Sequence, residues 1–142
     1  LLWEREVYPD QRLLNVHSMF IDWPNVSFHD YTKIPYKYRP ADVLPPNYHL
    51  TMSLSESNEF DCLEALENGR NVAVVFHDGL PETFQGYPVI DGDVHDLRFL
   101  DPAPAIVGLK VKGIKARKSE STFFRSKHDT GFQVVTWERV TL

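Results

Sequence analysis

The sequence predicts an α/β fold built on a mixed, largely parallel sheet of about six to seven strands with few helices, a pattern that a reduced barrel-like closure would also satisfy. Three observations lead there. Asn71-Val72-Ala73-Val74-Val75-Phe76-His77 is a continuous β-branched run, the pattern of a strand buried on both faces. An alternating strand over 48–54 and a helix over 57–68 precede it, so the three form a βαβ unit with parallel strands and a right-handed crossover. Strands outnumber helices by roughly seven to one or two, too few crossover helices for a fully wound parallel sheet.

The bulk numbers agree with a globular chain. The 142 residues are 42% hydrophobic and 13% aromatic, enough for one domain spanning 1–142 with its own core. The single cysteine, Cys62, excludes a disulfide framework and a cysteine-based metal cage within this sequence, which suits a reducing compartment. No apolar run approaches the roughly 18 residues of a membrane span, and Glu4, Arg5 and Glu6 interrupt any signal-peptide core. The expectation is a soluble, intracellular protein with no membrane association. The opening Leu1-Leu2 lacks a methionine, as a processed or truncated N-terminus would.

In order, the segment 1–12 has no clean period, and Trp3 and Tyr8 are its expected anchors. Residues 13–17 read as a short strand and 26–32 as a second, joined through the turn formers Pro24 and Asn25. Four prolines within 33–47 remove too many donors for regular structure and leave a long ordered loop tethered by Tyr36 and Tyr38. After strand 48–54, Ser55, Ser57 and Asn58 supply caps. Phe60, Leu63, Ala65 and Leu66 form the apolar stripe of the helix, and Gly69 stops it. Strand 71–77 leads through the turn Asp78-Gly79-Leu80-Pro81 to a strand over 87–91. Residues 97–104 read as loop or a single turn, 105–112 as a strand, 113–128 as a basic mobile loop and 131–137 as a closing strand.

Chemistry-bearing residues gather at strand ends, where α/β sheets bind ligands. Asp91, Asp93, His95 and Asp96 follow the strand 87–91, with Arg98 beyond. On an extended backbone Asp91, Asp93 and His95 share a face, as acid–base work or a hard cation such as Mg2+ or Mn2+ requires. The same spacing suits a turn in which Asp91 and Asp93 cap backbone amides and Asp96 pairs with Arg98. His29, Asp30 and Lys33 end the strand 26–32 and would face Asp91 if the two strands run parallel. Ser53, Ser55 and Glu56 end a third strand, and His77-Asp78 a fourth. There is neither a G-x-S-x-G elbow nor a phosphate-binding glycine loop.

Charge is unevenly spread behind the net −5: from Glu56 to Asp101 eleven acids face two arginines, while from Lys110 to Lys127 seven bases face Glu120. Lys110, Lys112 and Arg117, with Phe123 and Phe124 nearby, combine cation and ring as single-strand nucleic-acid sites do. A solvated basic surface, or a loop with an apolar anchor, would look the same.

The ordered words NVSFHDYTK, NYHLTMSLSESN, NVAVVF, GYPVIDGDVHDLRFLD, IVGLKVKGIKARK and DTGFQVV resemble an uncharacterised bacteriophage protein family over roughly residues 13–135. That family is marked by YDYTK, SxSE and DGDxxDLRF motifs. The resemblance implies a phage origin, a barrel-like α/β arrangement, and polar positions at Asp30, Tyr31, Thr32, Lys33, Ser53, Ser55, Glu56, Asp91, Asp93, Asp96 and Arg98. It also implies an upstream cysteine-containing segment and a helix between the first two strands, neither of which this sequence carries.

Two functions are therefore expected. One is a phage-encoded domain that acts on or binds nucleic acid or a nucleotide, with Asp91, Asp93, Asp30, His29 and Lys33 as its reactive groups. Arg98, Ser53, Ser55, Glu56, Lys110, Lys112 and Arg117 would hold the substrate, and Asp91, Asp93, His95 and Asp96 a Mg2+ or Mn2+ ion. The other is a non-catalytic module, an inhibitor or assembly component, that binds a host or phage protein on a degenerate enzyme scaffold. A third possibility is a fragment of a longer protein.

Overall fold

A computed structural model of the protein describes residues 20–112 and 124–132. The expected strand over 13–17, Trp3, Tyr8, Arg117, and all of the closing strand beyond residue 132 lie outside them.

Among the described residues six strands form an open sheet: β1 (Phe28–Thr32), β2 (Tyr48–Ser53), β3 (Val72–Phe76), β4 (Thr83–Phe84), β5 (Tyr87–Asp91) and β6 (Ile106–Lys110). Their order is β1-β2-β3-β6-β5-β4, and every neighbouring pair is parallel except β4 with β5. The mixed, largely parallel sheet is thus as the sequence predicts. The barrel-like closure is not: β1 and β4 lie at opposite ends of the order, so the sheet stays open.

The long helix among the described residues, α1 (Glu59–Glu67), links β2 to β3 as the βαβ reading requires. Leu63, Ala65 and Leu66 of the expected stripe are buried, but Phe60 is not part of it. Cys62, Leu63, Ala65 and Leu66 are buried with Glu59, whereas Phe60 is exposed. The spacing 59, 62, 63, 66 fixes one helical face, and Phe60 falls a quarter-turn off it. Gly69, at φ +84°, ends the helix in the left-handed region that glycine adopts without strain.

Alternation places two sets of side chains on the sheet. Leu50, Met52, Val72, Val74 and Ile106 share the α1 face; Met52, Val72, Val74 and Ile106 pack there with Leu63 and Leu66, while Leu50 packs with Phe20 and Tyr48. His29, Tyr31, His49, Thr51, Val75, Val107 and Leu109 share the other. That second face is covered by the connection from β5 to β6, residues 92–105. Its one helical turn, Arg98–Leu100, sits against β1 and β2, and the Phe99 ring lies 6.2 Å from that of His29 and 6.0 Å from that of His49. Asn71 pins the returning chain: its Nδ2 donates to the Pro102 carbonyl at 2.9 Å and its Oδ1 accepts the Ala105 N–H at 2.8 Å.

Two further elements escape sequence reading. Gln85 and Gly86, both at positive φ, close a two-residue hairpin between β4 and β5. Residues 124–128, expected to belong to a mobile loop, are tied to β3. Arg125 bridges Phe76 in parallel, donating its N–H to Val75 O at 2.8 Å and accepting His77 N–H at 3.0 Å. This insertion is possible because β2 and β3 pair at only two positions, Met52 with Val72 and Ser53 with Ala73, and separate at both ends.

Candidate functional site

Because β1, β2, β3, β6 and β5 are all parallel, their carboxyl ends lie along one edge. There, on the face away from α1, Tyr31, Val75, Gly92, Asp93, Asp96, Leu109, Val111 and Phe124 line a cleft of about 450 Å3, with Lys110 and Lys112 at its rim.

Asp93 lines this cleft and Asp91 lies beside it, and both are already engaged. The Asp91 Oδ1 accepts the Asp93 N–H at 3.0 Å, and its Oδ2 lies 2.8 Å from Lys110 Nζ. The lysine hydrogen bond, then the Asp93 amide, hold the Asp91 carboxyl below its usual range. Asp93 Oδ2 accepts the backbone N–H of Lys110 at 2.9 Å, and Oδ1 lies 3.4 Å from Lys112 Nζ. Asp91-Gly92-Asp93 is therefore a turn that stitches the connection onto β6. Gly92 is needed at its centre, since a Cβ there would stand 2.6 Å from Val107 Cγ1 and 2.8 Å from Leu109 Cδ2.

The rest of the motif serves the same loop. His95 Nδ1 accepts the Leu97 N–H at 3.1 Å. Arg98 is 4% exposed; its NH2 donates to the Gly92 carbonyl at 3.3 Å and to the His95 carbonyl. Its ion-pair partner is Asp101, with Nε 3.3 Å from Oδ2, rather than the expected Asp96. Burial raises the pKa of Asp101, against the opposing pull of Arg98. Tyr31, whose hydroxyl meets the field of Arg98, Asp96 and Asp101, is also raised, chiefly by burial.

The other predicted residues scatter. Asp30 Oδ1 caps the Tyr31 N–H at 2.8 Å and projects from the α1 face, while His29 rests against Phe99. Strands β1 and β5 stand four steps apart, roughly 19 Å at about 4.8 Å per step, so Asp30, His29 and Lys33 are not brought to Asp91. Ser53 and Ser55 offer main-chain groups to Asn58, whose Nδ2 donates to Ser53 O and whose Oδ1 accepts the Ser55 N–H. They, and exposed Glu56, are not among the residues lining the cleft. Asp78 fixes residues 126–127: its carboxylate accepts the Ser126 hydroxyl and the Lys127 N–H, each at 2.7 Å. Among the described residues no three His, Cys, Asp or Glu side chains gather as metal ligands. Nor is any helix there long and apolar enough to cross a membrane.

Sequence reasoning missed the buried arginines. Arg125 and Glu59 form an ion pair at 2.5 Å where β2 and β3 separate at the carboxyl edge, and Arg70 lies at the opposite end of the same two strands. Nothing local in the sequence distinguishes these arginines from surface ones.

An open, largely parallel α/β sheet with a cleft at its carboxyl edge is the class of protein that these elements define. The chain belongs to the family described as Gene product 88, a phage-type gene-product family whose sequence model matches residues 4–131. No curated protein and no solved structure matches it.

Proposed function

We propose that this chain is a phage-encoded module of the host cytoplasm that binds a nucleotide or single-stranded nucleic acid at the carboxyl-edge cleft. The observation that carries this reading is the composition of the cleft: two lysines at the rim of a space of about 450 Å3, with Tyr31 and Phe124 among its walls. Rings offer faces for bases, and ammonium groups offer charge to phosphate. The lysines are held by carboxylates at a solvated surface, where ion pairs are weak, so a phosphate can compete for them. A Mg2+ or Mn2+ ion would need Asp91 and Asp93 released from those lysines first, so any metal dependence should appear only with ligand bound.

The test is anisotropy of a labelled oligothymidylate with the full chain and with Lys110→Ala/Lys112→Ala. The variant should weaken binding at least tenfold and reduce the log–log salt slope by about 1.4, two contacts at about 0.7 each. Unchanged affinity and slope would sink the reading. A second reading, a protein-binding module, is favoured by a different observation: Val94, Leu97 and Leu100 all project to solvent from one connection, 74%, 44% and 61% exposed. If Asp91→Ala/Asp93→Ala leaves capture of a phage or host protein intact while Val94→Ser/Leu100→Ser abolishes it, the second reading replaces the first.

A further inference from the structure

The amino-terminal end of the β2–β3 junction holds a second, separate cavity. The two strands pair only at Met52 with Val72 and Ser53 with Ala73, so the first half of β2 has β1 on one side and an opening on the other. Met52 donates its N–H to Asn71 O at 2.8 Å, and strand alternation aims the Leu50 N–H into that opening. The resulting slot has a volume of about 300 Å3, at the lower end of the range for small-molecule sites. Tyr36, His49, Thr51, Arg70, Asn71 and Phe99 are among its walls.

Arg70 is the unusual member. Its residue is 6% exposed, its NH2 donates to the Arg39 carbonyl at 2.6 Å, and its guanidinium carbon stands 4.6 Å from the centre of the Tyr36 ring. Its NH1 is buried with no hydrogen-bond partner, and among the described residues no carboxylate pairs with it. The other two buried arginines each have an acid: Arg125 has Glu59 and Arg98 has Asp101. Asp101 and Arg98 also border this slot, but they cancel each other, which leaves the wall with the uncompensated charge of Arg70. Burial draws the Arg70 pKa below its ordinary value, opposed only by the phenols of Tyr36 and Tyr48. A buried cation without a counter-charge is costly, and an anionic ligand is the group that offsets it.

We propose that this slot is a binding site for a small oxyanion-bearing ligand, phosphate or carboxylate, with Arg70 as its charge partner and the rings of Tyr36, His49 and Phe99 as its walls. The site lies at the edge of the sheet opposite the lysine-rimmed cleft and does not depend on what that cleft binds. A planar fork matches either oxyanion, so the shared chemistry is the carboxylate or phosphate group itself.

The test uses the full 15N-labelled chain titrated with inorganic phosphate, acetate and benzoate, each against sodium chloride at equal ionic strength. Saturable shifts are expected at the Arg70 side-chain Nε–H and at the amides of Leu50, Gly69 and Asn71, with the amides of Lys110 and Lys112 unmoved. Phosphate alone, or the carboxylates alone, would assign the ligand class. Arg70→Met should raise Kd at least tenfold, and Arg70→Lys should retain part of the binding without the bidentate preference. Shifts no larger than those from chloride, or shifts at residues 110–112 instead, would overturn the site. So would undiminished binding by a folded Arg70→Met. The wild-type titration separates these outcomes even if the methionine variant does not fold.

Discussion

The Glu59–Arg125 pair should be the most sensitive polar contact in the described fold. Both residues are almost fully buried, at 6% and 3% exposure, and their charged atoms lie 2.5 Å apart. Arg125 also sits in the parallel bridge that fills the gap where β2 leaves β3, so one side chain joins the start of α1 to the end of the central strand. Arg125→Met keeps most of the stem volume and leaves a buried carboxylate without this cation. Breaking a buried pair in that way costs about 3–5 kcal/mol. For a chain of 142 residues that corresponds to a fall of roughly 10–15 °C in Tm. Glu59→Leu/Arg125→Met should recover all but about 1 kcal/mol of this, a coupling of at least 2 kcal/mol. Urea unfolding followed by far-UV circular dichroism measures both, provided that the m-value stays constant. In the single variant, hydrogen exchange at the His77 and Arg125 amides should accelerate before that at Val74. A cost below about 1 kcal/mol, or single costs that simply add in the double variant, would refute the reasoning.

Three further outcomes follow from the geometry. Gly92→Ala should destabilise the fold by about 1–3 kcal/mol, because its methyl would meet Val107 and Leu109 side chains at 2.6 and 2.8 Å; thermal melting measures this, and an unchanged Tm would show that the connection is not seated on the sheet. Cys62, fully buried and with its thiol pushed up to about 12 by burial and then by Asp61 and Glu59, should react with a disulfide reagent at pH 8 at least about 100-fold more slowly than a free thiol; rapid labelling of the native chain would contradict this. Asp91 and Asp78 both have folded pKa values below the ordinary carboxylate value, Asp91 through Lys110, and Asp78 because the Lys127 amide and Ser126 hydroxyl outweigh its burial. A depressed acid contributes stability above its unfolded pKa of about 3.9 and loses it as pH falls through the folded value, so Asp91→Asn and Asp78→Asn should each flatten the acid limb of stability by less than about 1 kcal/mol, read from melting between pH 2 and 7.

Elements whose signal is local were legible. The β-branched run at 72–76 announced a strand covered on both faces, and the strand over 87–91 has the bounds expected of it. β4 was not legible because it has two residues and its turn is Gln85-Gly86 rather than an Asn-Gly or Asp-Gly pair, so neither period nor turn chemistry marked it. The exposure of Phe60 could not be seen either. Helical spacing alone allows a face containing 60 or one containing 62, and only the position of β2 and β3 against α1 decides between them. Strand order is a non-local property, and the insertion of β6 between β3 and β5 leaves no trace in residue spacing. With β2, β3 and β6 all between them, β1 stands roughly 19 Å from β5, which separates two acidic motifs that strand-end placement alone would set face to face.

The charged residues divide in the same way. Asp91, Asp93, Lys110 and Lys112 lie in short polar words beside strand ends, so their clustering could be read from sequence, although their pairing with one another could not. Arg70 and Arg125 could not be read at all, because what distinguishes them is burial, and burial here results from β2 and β3 touching at only two positions. Each end of that short contact leaves a gap in a sheet whose interior strands would otherwise satisfy one another, and an arginine enters each gap. At the carboxyl end the gap is filled by backbone and closed by Glu59. At the amino end it is left as a cavity, and the guanidinium there meets phenols and a carbonyl. The same local defect thus yields a structural ion pair at one edge and an open cationic slot at the other. The presence or absence of an acid from α1, rather than the arginine itself, separates the two roles.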